Sequence, residues 1–394
     1  MSVENRKTWQ RFRRNRPALV ALWLIGFAVL IAIFGYALAP DHTPDANRQI
    51  PEIALRPPGF RVQFMAVKIN RLVEQPGWLG RLWSGAPPDT RLIPVESWQI
   101  IGDSVLFVRV GQKSTEQVHL VDLYATVADS IHRHVNYFYW HDLAGREHDV
   151  HRDGLTHDLN ANRGSAYFFE QGFPLGTDKY GRDILSRLIL GFRVSLTVGL
   201  IAVFISLTIG VLLGALGGYF GGRTDDVILL IINAVWSIPT LLLVFAIVLA
   251  LGRGVGIIFL AVGLTMWVDV ARLVRGQVLA LREMPFVEAA HSMGFGAGRI
   301  LWKHVLPNLL GPVLVLAAGN FATAILLESG LSYLGFGVQP PAPSWGTLLN
   351  ENYGYAIGGK PMMALAPALA IVLTVLAFNL VGNGLRDAVD VRGK

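Results

Sequence analysis

Residues 288–308 read Glu-Ala-Ala-His-Ser-Met-Gly-Phe-Gly-Ala-Gly-Arg-Ile-Leu-Trp-Lys-His-Val-Leu-Pro-Asn, a polar, charged stretch set between apolar runs long enough to cross a bilayer. Phe286 to Met293 is a good helix former, and Gly294 stands where a left-handed glycine ends a helix. Ala297 to His304 can form a second short helix, which Pro307 then stops before the next apolar run. Two short helices joined at a turn make a compact knob. A charged knob between membrane spans has to face a partner.

The flanking sequence sets the fold class. Hydrophobic residues make up 52% of the 394 and charged residues 16%, against about 25% charged in soluble domains. The chain therefore reads as an all-α integral membrane protein with six transmembrane helices. The first span is the uncharged run from Pro17 to Pro40, about 36 Å as a helix and enough for a hydrocarbon core of about 30 Å. It is longer than the apolar region of a cleaved signal peptide, so it reads as retained. Five further spans follow at Val194–Gly217, Val227–Leu251, Gly254–Ala271, Leu309–Leu327 and Pro361–Leu385, with Asp269 at the edge of the fourth.

Charge sets the expected orientation. Arg6, Lys7, Arg11, Arg13, Arg14 and Arg16 precede the first span against a single Glu4, which holds the N-terminus in the cytoplasm. Six spans return the C-terminus to the same side. The loop 271–308, with Arg272, Arg275, Arg282, Arg299 and Lys303, then also lies inside, as do Tyr219–Asp226 and the Arg386–Lys394 tail. Outside lie residues 41 to about 193, a turn at Arg253, and 328–360. The net charge of +6 thus follows topology and does not imply nucleic acid. Cysteine is absent, which excludes disulfides and thiolate chemistry.

Three regions result: a basic arm with the first helix (1–40), an extracytoplasmic insert (41–175) and a core of five helices (176–394). The insert carries 13 Lys and Arg against 16 Asp and Glu. Runs such as Arg61-Val-Gln-Phe-Met-Ala-Val-Lys-Ile and Trp98-Gln-Ile-Ile-Gly-Asp-Ser-Val-Leu-Phe-Val-Arg-Val are rich in β-branched and aromatic residues, so a small β-containing domain is expected. At the end of the second span Gly210, Gly214, Gly218 and Gly222 recur every four residues, a stripe that permits close helix approach.

The pattern Glu288-Ala289-Ala290, three residues, Gly294, nine residues, His304-x-Leu306-Pro307 resembles the coupling loop of permease subunits of binding-protein-dependent ABC importers. Leu175-Gly-Thr-Asp-Lys-Tyr-Gly-Arg-Asp-Ile-Leu-Ser-Arg with Gly191-Phe-Arg-Val-Ser-Leu, the segment Trp267–Gln277, and Leu327-Glu-Ser-Gly-Leu-Ser-Tyr-Leu-Gly-Phe-Gly-Val-Gln-Pro-Pro-Ala-Pro-Ser-Trp-Gly resemble the C-type permease of dipeptide, oligopeptide and nickel importers. The chain departs from that family in its insert, since typical members have a much shorter stretch before the position of Leu175.

The resemblance implies a bacterial inner-membrane transport subunit and no enzyme. Its implied partners are a second homologous permease, two cytoplasmic ATPases and an extracytoplasmic solute-binding protein. Peptides are the leading substrate class, with nickel complexes second. Glu288, Ala289 and Ala290 would lie on one exposed face docked on the ATPase, with Gly294 making the turn. His304, Leu306 and Pro307 would tie the second knob helix to the fifth span. A contrasting reading, an autonomous secondary transporter, would be marked by inverted repeats or broken helices with buried ionisable groups; apart from Asp269, little in the sequence matches.

Candidate path residues are Asn233, Trp236, Ser237 and Thr240, which fall at i, i+3, i+4 and i+7 of one helix face, and Asn320 and Thr323 in the fifth span. Interhelical hydrogen bonding accounts for them equally well. No cofactor or metal is called for. Gly354-Tyr-Ala-Ile-Gly-Gly-Lys360 resembles a phosphate-binding loop, but Pro361 stands where Ser or Thr is needed. His132, His134, His141, His148, His151 and His157 cluster with Asp142, Asp149, Asp153 and Asp158 without a compact ligand spacing.

Overall fold

A computed structural model describes residues 3–128, 130–155, 167–252 and 254–389. They form two compact units, one of Met1–Ile33, Gly191–Glu351 and Leu365–Lys394, the other of Phe34–Leu190 with Asn352–Ala364.

The chain opens with α1 (Val3–Arg14) and α2 (Arg16–Leu38). The break between them is capped: the Asn15 Oδ1 accepts the Ala18 N–H at 3.2 Å, three residues on, where Pro17 has no N–H to offer. After the insert come α5 (Ile184–Phe220), α6 (Gly222–Trp236), α7 (Thr240–Leu251), α8 (Val255–Arg282), α9 (Pro285–Ser292), α10 (Ala297–Ile300), α11 (Leu306–Tyr333), α12 (Trp345–Ile357) and α13 (Met362–Val389). Five helical runs, Arg16–Leu38, Ile184–Phe220, Val255–Arg282, Ala297–Tyr333 and Met362–Val389, are each long and apolar enough to cross a membrane, and α6 with α7 makes a sixth only if a bent pair counts as one span.

The third expected span is therefore not one straight helix. α6 and α7 meet at 88°. Pro239 lacks the N–H that a continuous helix needs and keeps Ile238 out of the α region, so the turn closes locally instead, with the Ser237 hydroxyl on the Ala234 carbonyl at 2.8 Å and the Ile238 N–H on Val235 at 3.2 Å. A second difference lies at Pro307. The helix from Ala297 does not stop there but continues through a π-turn over Leu301–Val305 into α11. The Leu306 N–H reaches back five residues to the Leu301 carbonyl, and this wider turn makes room for a proline ring that would clash in a regular α-turn. α8 also overruns its expected end at Ala271 by three turns, so the loop 271–308 begins as helix.

Glycine spacing brings α5 against α8. A Cβ on Gly210 would lie 2.7 Å from the Trp267 carbonyl oxygen, on Gly214 2.5 Å from that of Ala271, and on Gly218 2.7 Å from that of Arg275. Successive turns of one helix thus rest on the backbone of the other. Gly222 does not share this role. It has a positive φ of 52° with open space around it, at the first residue of α6.

The insert is β-rich, as expected. Strands β1 (Phe60–Lys68), β2 (Thr90–Ile101), β3 (Ser104–Arg109), β4 (Thr115–His119) and β8 (Phe168–Phe173) form an antiparallel sheet ordered β4-β3-β2-β1-β8. Alternation on β1 sends Val62, Phe64 and Ala66 to one apolar cluster and Met65 to another, so both faces are covered. Trp98 stacks on Phe168 with ring centroids 3.9 Å apart. Strands β5 (His132–His134), β6 (Tyr137–His141) and β7 (Glu147–His151) make a second sheet that buries Phe138 and Trp140 and leaves Tyr137 and Tyr139 outside. Two short helices, α3 (Trp78–Ser84) and α4 (Leu120–Tyr124), complete it.

Candidate functional site

The knob is built on a buried apolar core. Val287 and Ala290 of α9 join Ile300, Leu301 and Val305, and below them Tyr219, Val270, Val274 and Val278. α9 ends in a left-handed glycine motif: Gly294 has φ 77°, its N–H bonds the His291 carbonyl at 2.9 Å, and the Phe295 N–H bonds that of Ala290 at 3.1 Å. Nothing lies within 4 Å of where a Gly294 Cβ would be. The glycine answers a backbone demand and no packing demand.

The three leading residues of the motif do not share one face. Glu288 and Ala289 are exposed, whereas Ala290 is 1% exposed and points into the knob core. At 100° per residue Ala290 falls beside Val287, three positions earlier, and away from Ala289. The outer surface is instead completed by Phe286 and Met293 of this segment and by Trp302, 40%, 63% and 65% exposed. His304 stacks on Phe295 with ring centroids 6.0 Å apart, the Arg299 guanidinium lies 4.0 Å from the centroid of the same Phe295 ring, and Leu306 packs against the knob core. Pro307 is exposed, and next to it the Asn308 amide donates to the His304 carbonyl at 2.6 Å.

Polar links fasten this knob to the helices behind it. The Tyr219 hydroxyl and His291 Nε2 lie 3.3 Å apart, and Arg282 donates to the Tyr219 carbonyl at 3.3 Å. Arg275 grips Asp225 with two parallel hydrogen bonds of 2.5 and 2.6 Å, joining α8 to the start of α6.

The candidate path residues separate. Asn233 and Trp236 are drawn together by Arg272 of α8, which donates to Asn233 Oδ1 at 2.9 Å and places its guanidinium 3.9 Å from the Trp236 ring centroid. Ser237 and Thr240 do not continue that face, because the 88° bend falls between them. In α11, Asn320 is buried and its Nδ2 has no hydrogen-bond partner among the described residues, while Thr323 is exposed and bonds the Gly319 carbonyl at 3.1 Å.

Two residue groups carry structure that their motifs did not disclose. Glu328, the first residue of the segment expected outside, is fully buried inside α11. It accepts from the hydroxyls of Ser332 at 2.7 Å, Ser195 of α5 at 3.2 Å and Ser329 at 3.4 Å, and Ser344 also bonds it. Ser332 in turn takes the Val338 N–H at 3.1 Å, and Thr347 bonds Ser344 at 2.7 Å. The segment after α11 is thereby folded back on one carboxyl group. The serines at 329, 332 and 344, spaced from the acid by one, four and sixteen residues, were the available signal. In the other unit, Asp178 takes Arg182 at 2.6 Å and Arg187 at 3.2 Å, all three nearly solvent-free, and Asp183 caps α5 by accepting the Ser186 N–H at 3.0 Å.

Of the clustered histidines, His148 is within 3.0 Å of Asp142 Oδ2, an oxygen that Arg146 also takes at 2.9 Å. His157 and Asp158 lie outside the described residues. Among the described residues no three His, Asp or Glu side chains converge as a metal would require.

Residues 206–393 match the family described as binding-protein-dependent transport system inner membrane component, and residues 6–58 match the N-terminal TM domain of oligopeptide transport permease C. The chain is 41% identical over 215 residues to the oligopeptide transport system permease protein OppC of Bacillus subtilis, covering 55% of this chain and 70% of that one. It is 40% identical over 236 residues to the glutathione transport system permease protein GsiD of Pectobacterium atrosepticum (60% and 76%), and 39% identical over 243 residues to the dipeptide transport system permease protein DppC of Bacillus subtilis (62% and 74%). A chain of the inward-facing MetNI methionine ABC transporter superposes with a TM-score of 0.44 at 21% identity, over 52% of this chain and 98% of that one.

Proposed function

The chain belongs to the family of binding-protein-dependent transport system inner membrane components, and from that premise we infer that its transported solute is a short peptide. As a permease subunit of an ABC importer it performs no covalent chemistry and holds two conformations that ATP hydrolysis in separate subunits biases. The names of its relatives, which transport oligopeptides, dipeptides and glutathione, support the peptide class over nickel complexes.

The coupling surface in this reading is the outer face of the knob. Glu288 and Ala289 supply a charge and a close-contact position, and Phe286 and Met293 supply apolar area around them. Ala290 and Leu306 act from inside and Gly294 and His304 from the turn and the second helix, by keeping the knob compact. The observation that carries the proposal is the direct run from this surface into a membrane helix: Ala297–Tyr333 is continuous through Pro307, so a displacement at the knob is transmitted along one rigid element to Asn320, Thr323 and Glu328. Asn233 and Trp236, gathered by Arg272 beside the bend, form the polar part of the path between this permease and a homologous second one.

The assembly is completed by two cytoplasmic ATPases and an extracytoplasmic binding protein. With α6 and α7 counted as one span, six spans put both termini on the same side, and the basic residues before α2 support the cytoplasmic side of a bacterial inner membrane, with residues 41–175 outside. The test is Gly294→Arg. Membrane insertion and complex assembly are expected to survive, because the arginine side chain meets open space and the strain of a non-glycine residue at φ 77° falls on this one turn, while peptide uptake is lost; uptake at the parent rate would refute the knob as the coupling surface.

A further inference from the structure

Helix α3 has the sequence Trp-Leu-Gly-Arg-Leu-Trp-Ser over residues 78–84. At 100° per residue Trp78, Leu79, Leu82 and Trp83 fall within an arc of about 140°, with Gly80, Arg81 and Ser84 opposite. A helix on a water-soluble domain turns such an apolar face inward. This one turns it outward: Trp78 is 75% exposed, Leu79 60% and Trp83 71%, and Leu72 just before the helix is 66% exposed. Gly80, on the opposite side, faces the chain that leads into the helix: a Cβ there would lie 2.7 Å from the Pro76 Cβ.

The place of this face in the chain gives it a meaning. Gly85, directly after α3, takes φ 77°, and a Cβ there would meet the His42 carbonyl oxygen at 2.6 Å and the Tyr36 ring at 2.8 Å. The Ala86 N–H bonds the same His42 carbonyl at 2.8 Å. Tyr36 lies in the last turn of α2, flanked by Phe34 and Leu38, which are themselves exposed. The apolar face of α3 is thus fastened to the end of a membrane-length helix, with Arg71 just before the helix and Arg81 on it both exposed, against Glu74.

We propose that α3 lies in the lipid headgroup layer beside the point where α2 leaves the bilayer, a reading that rests on α2 crossing the membrane. The occupant of the apolar face is the bilayer surface. Indoles concentrate at that depth because the ring is apolar and its N–H is wet. A seven-residue helix can embed there and cannot span. Arginines at its edge keep their stems on the apolar layer and their guanidinium groups among lipid phosphates. The insert is then held to the membrane at two points, by the covalent chain and by α3.

The chain contains no cysteine, so single labelled cysteines can be placed without removing others. Trp78→Cys and Leu79→Cys would carry an environment-sensitive fluorophore in the full chain, reconstituted alone into phosphatidylcholine–phosphatidylglycerol vesicles. Phe27→Cys, at an exposed position inside α2, reports the bilayer interior, and Thr115→Cys, exposed on β4, reports water. The expected result is emission between the two references, with quenching by headgroup-level nitroxide lipids and little by nitroxides at the bilayer centre. In the Leu79→Cys chain, adding Trp78→Ser and Trp83→Ser should lower that quenching. Water-like emission from positions 78 and 79, with Phe27→Cys still buried in lipid, would overturn the proposal and leave the membrane reading intact. Shielding of positions 78 and 79 that arises only on adding partner chains would overturn it in favour of a protein contact. Water-like emission from Phe27→Cys would remove its premise.

Discussion

Replacing Glu328 by Leu should loosen the permease unit more than any exposed substitution can. The side chain is fully buried and serves as acceptor for Ser195, Ser329, Ser332 and Ser344. Leucine matches much of its volume but accepts nothing, so these hydroxyls lose a shared partner while remaining out of water. Each orphaned buried group costs about 1–3 kcal/mol. Ser344 retains Thr347, and Ser332 can keep the Val338 N–H as acceptor, so Ser195 and Ser329 set the loss, about 2 to about 6 kcal/mol. Glu328→Gln keeps one acceptor oxygen and supplies an amide that the hydroxyls can rotate to meet, and should cost within about 1.5 kcal/mol. The assay is thermal unfolding of the purified chain in one detergent, read in parallel with protease nicking of the 334–344 segment. The expected order of stability is parent, Gln, Leu, with nicking increased in the Leu variant alone. Equal melting and equal nicking for Leu and parent would refute the claim that this carboxyl group ties the segment down.

Gly214→Val should separate α5 from α8, because its Cβ would stand 2.5 Å from the Ala271 carbonyl oxygen, a backbone atom that cannot step aside; a loss of about 1–3 kcal/mol is expected, measured as a lower melting temperature, whereas Gly276→Ala in open space should leave it unchanged. Asp178→Ala leaves Arg182 and Arg187 buried without their shared carboxylate, and a cost of about 3–5 kcal/mol should appear as loss of folded protein on size-exclusion chromatography. Asp142 is held well below the ordinary carboxylate value of 3.8, chiefly by the hydrogen bond to His148 and then by the Arg146 and Ala144 N–H groups. A depressed carboxylate contributes stability above its unfolded value that is lost as pH falls toward the folded one. The protection of the β6–β7 hairpin from hydrogen exchange, taken relative to the intrinsic rate at each pH, should therefore fall below about pH 4, and Asp142→Asn should be less protected at neutral pH with a flatter acid limb.

The membrane character, the order of the spans and the knob were all legible in the chain because each depends on local composition. Uncharged runs of bilayer length, basic flanks and a glycine at the end of a short helix are one-dimensional signals, and the glycine appears with φ 77° where the pattern demanded it. The β-rich insert was legible for the same reason, since alternating β-branched runs became β1, β2 and β3. Helix periodicity by itself could not tell that Val287 would draw Ala290 inward, because which face of α9 is buried depends on α8 and α11 lying behind it. Nor could it separate two prolines of similar context: Pro239 bends its helix by 88°, while Pro307 is absorbed by a π-turn. The choice between those outcomes rests on whether neighbouring helices pack against a straight or a broken rod. Glu328 makes the same point from the other side. A single acid beyond an apolar run reads as a membrane boundary, and only Ser195, brought in from 133 residues away, with the serines on and beyond its own helix, turns it into a buried acceptor. Local sequence sets which segments leave water, and tertiary contact decides which polar atoms go with them, because a buried acceptor is tolerated only where distant donors arrive to meet it.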